Sequence, residues 1–467
     1  VKRIKYDLTC LTSEAIGPTG LSTEDIEGAR ERLEHAVEYL AELGTAHEPN
    51  FMHMPDEAVA DIQLRAAQLQ SRFETMVVLG IGGSSLGARA AIEGLIRRRS
   101  GRFVDGTPCS GLRVQFIENV DASDLLDLLE TVDLETTVFN VVTKSGNTIE
   151  TMSAFLIIRE RLINAFGMDG YRERVICTTD PTRGALRGVI AKDELEAWDV
   201  PPGVGGRFSV MSPVGLIPIA AAGVDIEAFL RGAARALASA VDRNVLENPA
   251  ALFALTQTLL YERGRTQVVF MPYATSLFAL GQWFAQLWAE SLGKLRYLGD
   301  ETPHHVGPTP IAALGATDQH SLLQLFMEGD DVRNIVFVEV GDTPDAPSVP
   351  STRSLCEPIV HLGGKSLDEI RSAELCGVRE GLVEHARPSS TFTLDRLDAE
   401  YVGGLMMTLM CSTVVAGSLF DVNPFDQPGV ELGKRFAHGL LGRDKERHYA
   451  SQIHERIAAR RTWIVTV

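Results

Sequence analysis

The segment Thr143-Lys144-Ser145-Gly146-Asn147-Thr148-Ile149-Glu150-Thr151 places four hydroxyl side chains within nine residues. It follows an apolar run, Thr137 to Val142, and opens into a helix-like stretch from Ile149 to Leu162. Hydroxyls and free backbone N–H groups at a helix start can encircle a phosphate dianion without strong positive charge. Ordinary capping needs only one or two hydroxyls. Thr143, Ser145, Thr148 and Thr151 are therefore candidate anion-binding residues. A second turn, Gly80-Ile81-Gly82-Gly83-Ser84-Ser85-Leu86-Gly87, offers flexible backbone and hydroxyls at another helix N-terminus, again a setting for an anion. It is not a dinucleotide loop, because Ser85 stands at the sixth position of G-x-G-x-x-G. Gly363-Gly364-Lys365-Ser366 fails the Walker pattern too, with Ile359 where glycine is required.

Proton chemistry needs a carboxylate or imidazole, and one helix-like stretch presents a candidate. Gln282, Gln286 and Glu290 are spaced i, i+4, i+8 and share one face, with Trp283, Phe284 and Leu287 around the rest. Taken alone, such a glutamate is more often solvated than catalytic. No His or Cys grouping has metal-ligand spacing, and the adjacent His304 and His305 read as a loop pair. No metal and no organic cofactor are expected. The six cysteines are scattered without a C-x-x-C pair, which fits a reduced, cytoplasmic setting.

The elements that must position these residues follow a β-then-α rhythm. Short apolar runs at Met76–Leu79, Val114–Ile117, Thr137–Val142 and Val175–Thr178 alternate with helix-like stretches. The rhythm returns at Gln267–Met271, Ile335–Val340 and Thr391–Leu394. Apolar strands alternating with helices imply parallel sheets covered on both faces. The fold class expected is α/β, with two doubly wound parallel-sheet domains, over 71–245 and 246–425. A helical N-terminal segment (1–70) and a helical C-terminal segment (426–467) flank them. Ser22-Thr23-Glu24-Asp25 has the capping-box form. In doubly wound sheets, ligands sit at the carboxyl ends of the strands.

The bulk properties narrow the partners. A net charge of −18, with no basic stripe to offset it, argues against nucleic-acid binding as the main task. It also poses a puzzle for an anionic ligand, though screening over ~8 Å lets a local set of donors act by itself. The uncharged stretch Tyr401–Phe420 is long enough to cross a bilayer. Its glycines, hydroxyls and flanking Glu400 and Asp421 favour a helix buried between domains or subunits, so no membrane partner is expected. The basic N-terminus runs straight into Asp7 without the apolar core of a signal peptide.

Four further segments carry a family resemblance. Gly205-Gly206-Arg207-Phe208-Ser209 and Phe425-Asp426-Gln427-Pro428-Gly429-Val430-Glu431-Leu432-Gly433-Lys434 resemble the two signature segments of glucose-6-phosphate isomerases. Glu290-Ser291-Leu292-Gly293-Lys294 and Asp318-Gln319-His320-Ser321 are similar to two more motifs of that family, and all four occur in family order. The resemblance implies sugar isomerase (SIS) domains and a hexose 6-phosphate substrate, interconverted between glucose and fructose forms through a cis-enediol. It implies that Glu290 is the base between C2 and C1 and that Arg207 stabilises enediolate charge. It also implies that His320 and Lys434 open the ring, and that His320 enters from the partner in a homodimer. Gly83, Ser84, Gly206, Gln286 and Gln427, with the hydroxyl cluster, match substrate-contacting positions. Two alternatives stand beside this reading: an isomerase that also takes mannose 6-phosphate, and a non-catalytic sugar-phosphate sensor. The sensor need not keep Glu290, Arg207, His320 and Lys434 together, and all four are present. Gly146-Asn147 and Leu314-Gly315-Ala316-Thr317 depart from the animal pattern and point to a compact bacterial-type subgroup. The tail from His448 to Val467 carries no motif that can be assigned.

Overall fold

The computed structural model describes residues 4–45, 50–56, 59–97, 99–297, 302–352 and 357–466. Twelve strands are found among them: β1 (Lys5–Asp7), β2 (Thr75–Leu79), β3 (Arg113–Ile117), β4 (Thr137–Thr143), β5 (Val175–Thr179), β6 (Glu196–Asp199), β7 (Gln267–Pro272), β8 (Lys294–Tyr297), β9 (Pro303–Val306), β10 (Thr309–Ala312), β11 (Arg333–Val340) and β12 (Ser389–Leu394). The first sheet is all parallel, in the order β3-β2-β4-β5-β6. The second has the order β1-β12-β11-β7-β10, parallel except at its β1 edge. In both, the chain first steps to one side (β2 to β3, β7 to β10) and then reverses past the starting strand. That reversal opens a crevice at the carboxyl ends, where doubly wound sheets bind ligands.

Alternation along each strand distributes its side chains between two layers. In the first sheet Met76, Val78, Val138, Val142 and Ile176 face a large central core. Their neighbours Val77, Leu79, Phe139, Val141, Val175 and Cys177 face an outer cluster under the covering helices. The second sheet repeats the arrangement, with Val268, Phe270, Val336 and Val338 inward and Val269, Met271, Ile335 and Phe337 outward. One continuous core thus lies between the sheets.

The apolar helix Ala399–Leu419 runs through that core, and 94% of its most apolar window is buried. It carries no charge beyond its first turn because it has no solvent face. Thr408, Ser412 and Thr413 satisfy their hydroxyls by donating to carbonyls one turn back, at 2.9, 2.8 and 2.7 Å. It crosses the helix Ile226–Ala240 at glycine contacts. A Cβ on Gly403 would lie 2.1 Å from the Phe229 carbonyl oxygen, so the backbones touch where any side chain would separate them.

Several expectations need correction. The N-terminal segment is not wholly helical: β1 joins the second sheet, antiparallel to β12, with the Tyr6 ring against Phe253 and Phe392. Three residues are too few to display an alternating pattern, so tertiary pairing decides. His304 and His305 lie on β9, paired with β8, rather than in a loop. The short strands β6 and β10 pass unnoticed in the sequence because they are only partly buried at the sheet edges. The capping box at Ser22 and Asp25 is present as written, with both reciprocal hydrogen bonds made.

Candidate active site

The crevice of the first sheet is a cleft of about 550 Å³. Its floor comes from the turns after β2, β4 and β5, and the loop Gly205–Ser209 and the helix Phe278–Leu292 close it. Two of these segments meet backbone to backbone. A Cβ on Gly83 would lie 2.4 Å from the Gly206 carbonyl oxygen, and Ser209 Oγ donates to the Gly83 carbonyl at 3.1 Å. Glycine at 83 is therefore a packing requirement as well as an opening for a ligand.

In the turn after β4, Thr143 Oγ1 lies 2.8 Å from Thr148 Oγ1, and Ser145 Oγ lies 3.5 and 3.3 Å from these two. Three hydroxyls thus converge, with Ser145 and Thr148 lining the cleft and Thr143 behind them. Thr151 does not join them. One turn further along the helix it is buried, with a hydroxyl that has no hydrogen-bond partner, so the expected fourth member faces the interior. The Gly146-Asn147 departure also has a structural role. Asn147 accepts from the Ala185 N–H at 3.0 Å and donates to the Ser145 carbonyl at 3.0 Å, tying this turn to the next helix. Lys144 reaches back to donate to the Pro202 and Val204 carbonyls, at 2.7 Å each, which links the hydroxyl turn to the loop bearing Arg207. Burial lowers the Lys144 pKa.

Arg207 is almost wholly buried, and all five of its N–H donors are engaged. Nε donates to Ser291 Oγ (2.7 Å), Nη1 to Glu290 Oε2 (3.3 Å) and Gln427 Oε1 (2.7 Å), and Nη2 to the carbonyls of Pro424 (2.5 Å) and Asp426 (3.0 Å). Burial lowers its pKa and the carboxylate of Glu290 opposes that shift. A guanidinium remains charged under such opposition. The Glu290 side chain is 35% exposed, so its carboxylate is held by Arg207 yet open to the cleft. Lys294, one turn on, donates to the Glu290 carbonyl at 2.8 Å and pairs with the Asp426 carboxylate at 3.0 Å. A cation at that place satisfies a carbonyl left free at the helix end. Residues 424–427 are thereby clamped by two buried cations against the helix that carries Glu290.

Of the residues expected from the sequence, Gly83, Ser84, Ser145, Thr148, Gly206, Arg207, Gln286, Glu290 and Gln427 line the cleft together. His320 and Lys434 are not among them. His320 follows β10, at the carboxyl end of the second sheet, and is exposed. Its turn is fixed by Asp318, which accepts from the Leu314 N–H at 2.7 Å, and by Gln319, which donates to Tyr273 Oη at 2.7 Å. Lys434 lies on the exposed helix Glu431–Leu440 and pairs with Glu431 at 2.9 Å. Asp180, Arg183 and Gly184, absent from the residues expected, also line the cleft, and the Lys294–Asp426 pair lies beside it. A turn rich in Asp, Pro, Thr and Gly after a buried strand was the available signal for the first three. Among the described residues no group of three His, Cys, Asp or Glu side chains is placed to hold a metal ion.

The sequence model of the family described as phosphoglucose isomerase matches residues 65–456, most of the chain. The chain belongs to the phosphoglucose isomerase family. Curated relatives include glucose-6-phosphate isomerases of Rubrobacter xylanophilus, 41% identical over 91% of this chain and 95% of the relative, and of Carboxydothermus hydrogenoformans, 39% identical over 94% and 95%. Among solved structures, a hypothetical protein from Thermus thermophilus is 33% identical, with a TM-score of 0.81 over 94% of this chain and 100% of that one. A glucose-6-phosphate isomerase from Chlamydia trachomatis, 22% identical with a TM-score of 0.79 over 97% and 96%, shares the fold. In this member of the phosphoglucose isomerase family, the cleft of the first sheet holds most of the motif residues within one chain.

Proposed function

We propose that the chain catalyses the reversible isomerisation of glucose 6-phosphate to fructose 6-phosphate, by ring opening followed by proton transfer through a cis-enediol. The observation that carries the reading is the Glu290 carboxylate, held at 3.3 Å by a buried arginine and open to a cleft whose far wall is a knot of hydroxyls. The hydroxyl wall takes the phosphate, which leaves C1 and C2 of the open-chain sugar toward Glu290. The carboxylate removes the proton from C2 and returns it to C1. Negative charge then developing on the enediolate oxygens is met by the fixed positive charge of Arg207, which cannot titrate. Gln427 and Gln286 position the hydroxyls of the sugar. No cofactor is required, since the proton removed is the proton returned and no electrons leave the substrate.

Ring opening is assigned to His320 and Lys434, and the working unit is a homodimer in which His320 comes from the partner. Its exposure away from its own cleft supports this, because an imidazole facing only bulk solvent has no proton-transfer task to perform. So does the apolar surface of the C-terminal helices, where Leu432, Leu441 and Ile457 are 52, 70 and 58% exposed. The five cysteines among the described residues are all free thiols, as a cytoplasmic enzyme would have them. A coupled assay that oxidises the glucose 6-phosphate formed from fructose 6-phosphate, run with chelator present, tests the function directly. Turnover undiminished by chelator is expected; absence of turnover would refute the assignment.

A further inference from the structure

The cleft belongs to a chain with a net charge of −18, and its hydroxyl wall is neutral. Three cations line it: Lys144, Arg183 and Arg207. Arg207 has no donor to spare. Lys144 directs its ammonium at two carbonyls of the neighbouring loop. Arg183 differs from both. Its guanidinium makes no hydrogen bond or ion pair among the described residues, although its backbone is firmly held.

That holding is specific. Asp180 Oδ1 accepts the N–H groups of Thr182 and Arg183, both at 2.9 Å, and the Thr182 hydroxyl at 3.3 Å. Gly184, at φ +93°, brings the turn against the hydroxyl loop: a Cβ there would lie 2.3 Å from the Ser145 carbonyl oxygen. Beyond it, Ala185 N–H donates to Asn147 Oδ1 and Leu186 N–H to the Gly146 carbonyl, each at 3.0 Å. The turn bearing Arg183 is thus bolted to Ser145, Gly146 and Asn147. A long, charged side chain, without a hydrogen bond of its own and met only by the charge of Asp180, stands on a rigid base and lines the same cleft as Ser145 and Thr148. The opposing charges at the cleft are Glu290, paired with Arg207, and Asp180, whose Oδ1 is occupied by these three donors.

We infer that Arg183 is a substrate-binding residue that contacts the phosphate of the sugar and sets the preference for its dianionic form. The inference rests on the sugar-phosphate reading above. Charge-assisted bonds from a guanidinium to phosphate are roughly twice as strong as those from neutral hydroxyls and are often bidentate. The hydroxyls fix where the phosphate lies, and Arg183 supplies the charge that the rest of the chain lacks. It acts on binding and encounter, remote from C1 and C2, so the chemical step does not depend on it.

Steady-state kinetics of Arg183→Ala with fructose 6-phosphate test this, and the exposed position of the side chain leaves the fold intact. KM is expected to rise about ten-fold or more, with kcat within two-fold. The fall of kcat/KM with added salt is expected to flatten relative to wild type. Arg183→Lys keeps the charge, and should retain the salt dependence while recovering part of the KM. An unchanged KM and salt slope, or a loss of kcat alone, would overturn the inference. Calorimetric titration with inorganic phosphate separates the two readings. If the wild-type chain lacks isomerase activity but binds phosphate more tightly than Arg183→Ala, the function assignment fails and the Arg183 site stands. Equal phosphate affinity in the two proteins removes the Arg183 site whatever the activity.

Discussion

The two sheets reverse their winding in the same way, yet their carboxyl ends are built differently. At the first sheet, turns after three strands interlock through Gly83 on Gly206 and Gly184 on Ser145, enclosing a cleft of about 550 Å³ lined by Arg207, Glu290 and the hydroxyls. At the second sheet, the turn after β10 is just as firmly fixed by Asp318 and Gln319, but it presents His320 outward. One end is a receptacle, and the other turns its histidine to solvent. An equivalent topology therefore does not make equivalent sites. The loops decide: those of the first sheet close around a cleft, and the turn after β10 leaves His320 exposed.

The largest effect expected from separating these two ends is at the base. Glu290→Gln keeps the shape and the Arg207 contact but removes the proton acceptor. Turnover should fall by about 10²–10⁴-fold, while fructose 6-phosphate still protects the protein in a thermal-shift titration. Near-normal turnover would remove Glu290 from the role of base. The comparison itself is tested by mixing. His320→Ala and Glu290→Gln proteins, each poorly active, should recover roughly a quarter of wild-type activity after subunit exchange. Half of random dimers are mixed, and each of those has one intact site. Exchange verified by mass with no recovery would mean that His320 does not serve a neighbouring cleft.

A smaller effect is expected at the clamp. Lys294→Met frees the Glu290 carbonyl and the Asp426 carboxylate, loosening residues 424–427. A displacement near 1 Å costs about a hundred-fold, so a kcat lowered ten- to a hundred-fold with KM little altered is the expected split. Asp426→Asn should repeat it in weaker form. A normal kcat in both variants would reduce the clamp to a purely structural contact. The smallest effect lies in the helical layer behind the cleft. There Asp193 accepts from Arg159 at 2.6 Å and from Tyr171 at 3.2 Å. The Arg159 hydrogen bond, the largest influence, holds the Asp193 pKa below the usual carboxylate value. With the folded pKa depressed, the ionised form contributes stability above the unfolded pKa near 4 and loses it as pH falls through the folded pKa. Asp193→Asn should cost about 2 kcal/mol at neutral pH without altering KM. The difference in Tm from wild type should shrink as the medium is made more acid than pH 4. A constant difference across that range would contradict the ion-pair account.

The sequence revealed the first sheet's end better than the second's, for a physical reason. Hydroxyls spaced along one turn, and a glutamate at i+8 from a glutamine, are local patterns, and the fold leaves local patterns nearly intact. Thr151 shows the limit: its type and spacing match the cluster, but helical rotation turns it inward once Ile149 begins the helix. Arg183 and Lys294 passed unnoticed because their meaning lies in contacts across 38 or 132 positions, Asn147 with Ala185 and Lys294 with Asp426. The roles of His320 and Lys434 came from motif resemblance alone. The strands with alternating inward and outward faces were legible. The strands β1, β6 and β10, each of three or four residues, were not.

The pairing of β1 with β12 has a consequence for how the chain is made. The strand β1 is an edge whose partner lies roughly 380 residues downstream, so it is made long before that partner. At ~5–20 residues per second it waits about 20–80 s, and the core helix Ala399–Leu419 emerges later still. The first sheet can assemble during translation, since all its strands precede residue 200. The second sheet and the central core cannot close until the helix Ala399–Leu419 has been made. For most of that interval the nascent chain displays an apolar surface awaiting its last helix, so chaperone engagement should concentrate on the second half. Truncations that stop before residue 399 should aggregate rather than yield a smaller soluble protein.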